Sequence, residues 1–291
     1  MMIRHRDIHS FVHPTAIGPR ELTLWGALRH LSAPVVRACP ELLPKGNFPT
    51  MNPIIVIPSR LASTRLPAKA LADIGGEPMI VRVARRARDS GVARIVVAAG
   101  DEAIAEAVAP LGIEAVLTPP DLPSGADRVH AALDIIDPAG LHDVAINLQG
   151  DLPLIDPEVA RIACLPLEDG FDIGTLVAPI ADEYERQASS VVKVACAFTS
   201  ERPARALYFS RATIPWGDGP VWHHVGIYAW RRAALARFVA LPRSPLEARE
   251  GLEQLRALEA GMTIGCMNIA HAPLGVDTAE DLARVRAALA S

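Results

Sequence analysis

The 291-residue chain has no uninterrupted apolar run approaching the roughly 20 residues that a membrane-spanning helix needs. A secretory leader pattern is missing too, because charges and histidines interrupt every early apolar stretch before a hydrophobic region can form. The four cysteines, Cys39, Cys164, Cys196 and Cys266, show no CxxC or other ligand spacing. That speaks against a structural zinc site or a disulfide framework and for free thiols in a reducing cytosol. Excess positive charge is also lacking: 29 Lys and Arg face 33 Asp and Glu, for a net charge of −4. Global attraction to nucleic acid or to an anionic membrane is thereby excluded, and any anion must be held by a local cluster. Two nucleotide-binding signatures are absent, since no GxxxxGK(S/T) sequence occurs and Gly75-Gly76 does not make a GxGxxG turn. No internal repeat or low-complexity tract is present. What remains is an ordinary globular balance, 50% hydrophobic and 21% charged, and the expectation is a soluble cytoplasmic protein with neither nucleic-acid partner nor membrane insertion.

The first 52 residues differ from the rest. They hold six Arg and Lys against three acids, a net +3 that leaves −7 for the remainder. Four of the nine histidines, His5, His9, His13 and His30, lie here at no spacing that would make them ligands on one helix or strand. Residues 21–29 have weak helical amphipathicity, the Pro and Gly cluster over 40–53 reads as a linker, and Met51 stands immediately before the first strong strand. We expect a non-catalytic extension over 1–52, with Met51 as the natural start, and a catalytic domain over 53–291. Loss of folding or activity in a chain begun at Met51 would overturn this.

From Pro53 the pattern becomes regular. The β-branched run 54–57 reads as a buried parallel strand closed by Pro58. Pro78 then opens a helix in which Ile80, Val83, Ala84 and Ala87 share one face and four arginines lie elsewhere, a solvated outer face stopped at Gly91. Strands over 94–99, 115–117 and 143–148 alternate with helices over 102–111 and 126–136, which means βαβ units and a parallel sheet. The later half predicts strands over 173–178, 191–198, 223–229 and 263–270, and helices over 231–240, 245–259 and 279–290. The fold class is therefore α/β, a mostly parallel central sheet flanked by helices, with a smaller substrate or dimerisation lobe. In such sheets ligands sit beyond the carboxyl ends of the strands, so the loops over 59–69, 99–101, 118–125 and 149–153 should carry the chemistry.

The first of these loops places Arg60, Arg65 and Lys69 with Ser63 and Thr64 directly after the first strand. Guanidinium forks and an ammonium suit the roughly four negative charges of a nucleoside triphosphate through charge-assisted hydrogen bonds. Asp151 follows the strand ending at Leu148, where it can either hold Mg²⁺ or cap the helix beyond Pro157. Thr278 with Asp281 three residues on reads as a helix cap, which leaves Asp277 free to be a second metal ligand.

Together these residues resemble the 3-deoxy-D-manno-octulosonate (Kdo) cytidylyltransferases, from about Pro53 to about Ala290. The resemblance runs through the opening motif 58–69, Ser124-Gly125-Ala126-Asp127-Arg128, Gln149-Gly150-Asp151 and Gly275-Val276-Asp277-Thr278. Most specific are the stretch 206–216, which contains Tyr208-Phe209-Ser210-Arg211, and the pair Ser244-Pro245-Leu246-Glu247 and Leu252-Glu253-Gln254-Leu255-Arg256. The resemblance implies a nucleotide-diphospho-sugar transferase-like fold in which CTP and Kdo give CMP-Kdo and pyrophosphate for lipopolysaccharide biosynthesis. It assigns the phosphates to Arg60, Arg65 and Lys69, the cytidine region to Ser124, Gly125 and Gln149, and Mg²⁺ to Asp151 and Asp277. For the sugar it suggests Arg211, His224, Tyr228, Glu253 and Gln254, and it implies a homodimer. Three departures stand out: Ala99-Gly100-Asp101 displaces an acid, Leu152 replaces one, and Ala68 stands where the family has the glycine before the loop lysine. Rival readings are a cytidylyltransferase for another acidic sugar, amino-Kdo or sialic-acid-like, and a nucleotide-binding regulatory protein without turnover.

Overall fold

A computed structural model describes residues 51–290 apart from Thr64, Ala93 and Glu201. The expected extension over 1–50, with its histidines, Cys39 and the 21–29 helix, lies outside the described residues, as does the Thr64 hydroxyl.

The run after Pro53 forms β1 (Pro53–Ser59), buried on both faces: Ile55 and Ile57 enter one hydrophobic cluster, Ile54 and Val56 the other. Such two-sided burial is why its pattern is continuous rather than alternating. α1 (Met79–Arg88) buries Ile80, Val83, Ala84 and Ala87 and leaves Arg85 and Arg88 exposed, as its period requires. The alternation continues through β2 (Arg94–Ala99), α2 (Glu102–Val108), β3 (Glu114–Leu117), α3 (Gly125–Ile136) and β4 (Val144–Asn147). β1 pairs in parallel with β2 and β4, and β2 with β3, so all four carboxyl ends gather at one edge.

Two short helices, α4 (Val159–Ile162) and α5 (Leu165–Glu168), lead to β5 (Ile173–Pro179). A turn of helix, α6 (Glu183–Gln187), and three short strands follow: β6 (Lys193–Ala195), β7 (Ala204–Arg205) and β8 (Tyr208–Ser210). The ten-residue β9 (Trp222–Arg231) then runs antiparallel between β4 and β5, and β10 (Ile264–Asn268) returns parallel to β5. The main order is β3-β2-β1-β4-β9-β5-β10-β7, with β6 and β8 joined through β9. The parallel frame was expected. The insertion of β9 in the opposite sense was not legible, because an antiparallel strand buried on both faces has the same continuous apolar run as a parallel one.

Helices α7 (Arg232–Val239), α8 (Pro245–Glu250), α9 (Gln254–Glu259) and α10 (Ala279–Ala290) complete the chain. The single helix expected over 245–259 is broken in two at Gly251. Its φ of 65° is left-handed, and its N–H bonds back to Glu247 O at 2.8 Å to close α8. The strand expected over 191–198 is laddered only over β6. Ser244 and Glu247 form a reciprocal capping box at the start of α8. Among the described residues no helix is long and apolar enough to cross a membrane.

Candidate active site

A cleft of about 370 Å³ opens at the carboxyl ends of β1 and β4. Arg60, Ser63, Arg65 and Lys69 line it from the loop after β1, Ser124, Gly125 and Arg128 from the start of α3, and Gln149, Gly150, Asp151 and Asp277 from two further loops. All the residues expected to hold the phosphates, the cytidine and the metal thus share one cavity.

The loop after β1 is held by its own backbone and by one carboxylate. Ala68 N–H bonds to Leu61 O at 3.2 Å, and Ala68 adopts φ 52°, ψ 30°, the left-handed conformation that glycine occupies without strain. A glycine here in the family therefore has a backbone reason, and the alanine keeps the same turn under strain. Asp101 accepts a hydrogen bond from Leu61 N at 2.8 Å and so latches the loop after β1. Gly100 beside it is closely packed: a Cβ there would lie 3.0 Å from Arg128 Nη1 and 3.1 Å from Arg60 Cβ, so a larger residue would have to push these side chains aside. Leu152, the other departure, is buried in the hydrophobic core.

Lys69 is the hub of the cleft. Its Nζ donates to Asp151 Oδ2 at 2.8 Å, to Asp277 Oδ1 at 3.0 Å and to Val276 O at 3.1 Å, while Arg65 Nη2 sits 3.0 Å from Asp277 Oδ2. Burial disfavours the ammonium, but the two carboxylates outweigh it and its pKa is raised. Asp151 does not cap the next helix, which begins at Val159 with Glu158 in the cap position. Asp281 instead closes the α10 turn as expected, accepting from Asp277 N at 3.0 Å and Thr278 N at 2.9 Å while Thr278 Oγ1 accepts from Asp281 N at 3.2 Å. That leaves the Asp277 carboxylate pointing at Lys69. Two carboxylates, 126 positions apart in sequence, so converge on one cation with hard oxygen donors. Among the described residues no third His, Cys, Asp or Glu completes a cage. One or two carboxylates completed by water and substrate phosphate is the set that Mg²⁺ prefers, and the residues fit it.

At the α3 side of the cleft Ser124 caps the helix, accepting from Asp127 N at 3.2 Å. Arg128 is buried against Thr118 Oγ1 at 2.5 Å and the carbonyls of Pro119 and Pro120. Its burial, and then the neighbouring Arg60, lower its pKa.

The expected sugar residues lie beside this cleft rather than among the residues lining it. His224 and Tyr228 are both buried on β9 with ring centroids 5.4 Å apart. Glu253, at the α9 cap, is half-buried beside the Ser124 side chain; desolvation raises its pKa, and its Oε2 is enclosed and has no partner. Gln254 is buried next to it. Arg211 departs from expectation: its guanidinium is occupied by Glu250 O at 2.8 Å, Ser189 O at 3.0 Å and Gly251 O at 3.4 Å. The carbonyls around the Gly251 break engage it, a consequence of the interrupted helix. Sequence reasoning missed Asn147, fully buried opposite Tyr228, with neither side-chain polar atom partnered and Nδ2 3.6 Å from where a Gly125 Cβ would lie. A polar residue ending an otherwise apolar strand was the available signal.

Similarity to known proteins agrees with this geometry. The sequence profile of the cytidylyltransferase family matches residues 54–264. The 3-deoxy-manno-octulosonate cytidylyltransferase of Parvibaculum lavamentivorans is 60% identical over 240 residues, 82% of this chain and 93% of the relative. The chain belongs to this family. It is accordingly a nucleotidyltransferase. A second cytidylyltransferase of this kind, from Azorhizobium caulinodans, is 56% identical over 84% of the chain and 98% of its own length. A solved CMP:2-keto-3-deoxy-manno-octonic acid synthetase complexed with CTP superposes with a TM-score of 0.75 at 39% identity, over 82% of this chain and 98% of that one. A cytidylyltransferase from Leptospira borgpetersenii, 16% identical with a TM-score of 0.54 over 82% and 87% of the two chains, shares the fold.

Proposed function

We propose that this cytidylyltransferase transfers CMP from CTP to Kdo, releasing pyrophosphate and activating the sugar for lipopolysaccharide assembly. The observation that carries the reading is the convergence of Asp151 and Asp277 on Lys69 inside a cleft that also holds Arg60 and Arg65. Three cations against two carboxylates leave this cluster at +1. CTP brings roughly four negative charges, so a divalent cation is needed to approach balance.

Asp151 and Asp277 would hold Mg²⁺, which when bound neutralises phosphate charge and lowers the pKa of a neighbouring hydroxyl. The anomeric hydroxyl of Kdo gives up its proton to solvent, and its oxygen forms a bond to the α-phosphorus as the bond from that phosphorus to the bridging oxygen breaks and pyrophosphate leaves. Arg60, Arg65 and Lys69 orient the triphosphate and stabilise the charge that grows on the leaving oxygens. Ser124, Gly125 and Gln149 set the cytidine at the start of α3. His224, Tyr228, Glu253 and Gln254 fix the sugar's hydroxyls, and Arg211 attracts its carboxylate at the price of one of its present carbonyl contacts. Holding both substrates in line supplies much of the acceleration, and no covalent enzyme intermediate is required.

We further assign the enzyme to the cytoplasm as a homodimer, on the family resemblance. The test is pyrophosphate release across a panel of nucleotides and acidic sugars, with and without Mg²⁺. CTP with Kdo should give the highest kcat/KM, and Mg²⁺ should be required. A better rate with a sialic acid or amino-Kdo, or CTP binding without turnover, would refute the assignment.

A further inference from the structure

The pairing of β9 with β5 is irregular beside the expected sugar residues. Thr175 lies opposite Tyr228 and the next residue, Leu176, opposite Val225, so Gly226 and Ile227 bulge out of the ladder. A bulge interrupts the regular ladder and leaves backbone groups to find other partners. The Thr175 hydroxyl serves two carbonyls here, 2.9 Å from Ile227 O and 3.3 Å from Val225 O. The same oxygen is 3.1 Å from His224 Nε2. Thr175 is fully buried and His224 nearly so, with the Phe209 and Tyr228 rings at 5.0 and 5.4 Å.

A threonine hydroxyl has one proton to give. Both carbonyls can only accept, and Ile227 O at 2.9 Å is nearer than either Val225 O or the imidazole nitrogen, so we place that proton on the bond to Ile227 O. Toward the imidazole the hydroxyl then offers only lone pairs, and the ring nitrogen facing it must carry hydrogen. Burial, and then the adjacent His223, push the His224 pKa down to about 3, so the ring is neutral and has a single N–H. With that hydrogen on Nε2, Nδ1 is bare.

We propose that Thr175 holds His224 as the Nε2–H tautomer, so that Nδ1 is presented as an acceptor to a hydroxyl of the acceptor sugar. Thr175 is thus a positioning residue, set by the bulge and acting through His224. The sugar half of this inference rests on the proposed role of His224. Its consequence is discrimination: a hydroxyl at the contacted position satisfies Nδ1, whereas a deoxy carbon or an oxygen that can only accept leaves it unpaired.

The tautomer can be read without substrate from the ¹⁵N shifts of histidine-labelled full-length protein, with His224 assigned by the signals lost in His224→Gln. A pyrrole-type Nε2 and a pyridine-type Nδ1 are expected; the reverse pattern overturns the proposal. Thr175→Val removes the hydroxyl and keeps the branched shape. It should move His224 toward the other tautomer and raise KM for Kdo about five- to tenfold, with KM for CTP unchanged. Thr175→Ser should restore both. An unchanged His224 spectrum in Thr175→Val overturns the role of Thr175. A changed spectrum with an unchanged KM for Kdo leaves the tautomer assignment standing and overturns the sugar-binding role of His224 beneath it. Should Thr175→Val fail to fold, the wild-type and Thr175→Ser spectra decide the tautomer.

Discussion

Replacing Asp151 by asparagine separates metal binding from triphosphate binding, because the two requirements have opposite signs in charge. The cluster of Arg60, Arg65, Lys69, Asp151 and Asp277 rises from +1 to +2. Lys69 keeps Asp277 at 3.0 Å, and the lost partner is 28% exposed, so the fold should lose no more than about 1 kcal/mol. CTP titrated in the presence of a chelator should therefore bind as well as to wild type or more tightly, since an anion now meets one more net positive charge. Turnover should behave in the opposite way. Loss of one of two carboxylates on the divalent cation removes charge stabilisation of the kind that costs about 10²- to 10³-fold in kcat, or about 3 to 4 kcal/mol. The assay is pyrophosphate release at saturating CTP, Kdo and Mg²⁺, alongside calorimetric titration of metal-free CTP and a denaturant midpoint. A kcat within a few-fold of wild type refutes the metal role of Asp151. Weakened metal-free CTP binding refutes the charge argument itself.

Asp101→Ala removes the acceptor of Leu61 N–H and should raise KM for CTP several-fold through a looser phosphate loop, with kcat nearly unchanged; steady-state kinetics at fixed Kdo will tell. Ala68→Gly relieves a left-handed alanine at φ 52° and should raise the unfolding free energy, read from the denaturant midpoint at unchanged m, by up to about 1 kcal/mol, and a fall would mean the turn is not strained. Arg256→Met breaks a buried two-pronged pair with Glu247, at 2.9 and 2.8 Å with side chains 10% and 9% exposed, and removes a cation from the Phe238 face at 4.6 Å. About 3 to 5 kcal/mol of stability should be lost in urea unfolding, because the Glu247 carboxylate stays buried without a countercharge and keeps only the Ser244 N–H at 3.1 Å.

Particular elements show where sequence was sufficient. The run 54–57 and the spacing of Ile80, Val83, Ala84 and Ala87 fix a strand and a helix by their hydrophobic period alone. The order of strands and helices up to β4 then forces a parallel frame whose carboxyl edge holds the loops. Arg60, Arg65 and Lys69 were visible as a cluster of cations because they are neighbours in sequence, and Thr278 with Asp281 was visible as a cap for the same reason. The single helix over 245–259 failed at Gly251, where one left-handed residue outweighs an otherwise continuous helical pattern.

Distance along the chain marks the other limit. That Asp151 is not a helix cap, and that it and Asp277 meet at one ammonium 82 and 208 positions away in sequence, is visible only once β4 and the loop before α10 are placed. The unpartnered Asn147 opposite Tyr228 and the bulge that sets Thr175 against His224 both depend on β9 entering between β4 and β5. Sequence by itself determined the local elements, the loop of cations and the family, because those follow from short-range sterics, hydrophobic period and charge. Tertiary structure decided which distant polar groups face one another, because that depends on strand order and register, and a local pattern carries no record of either.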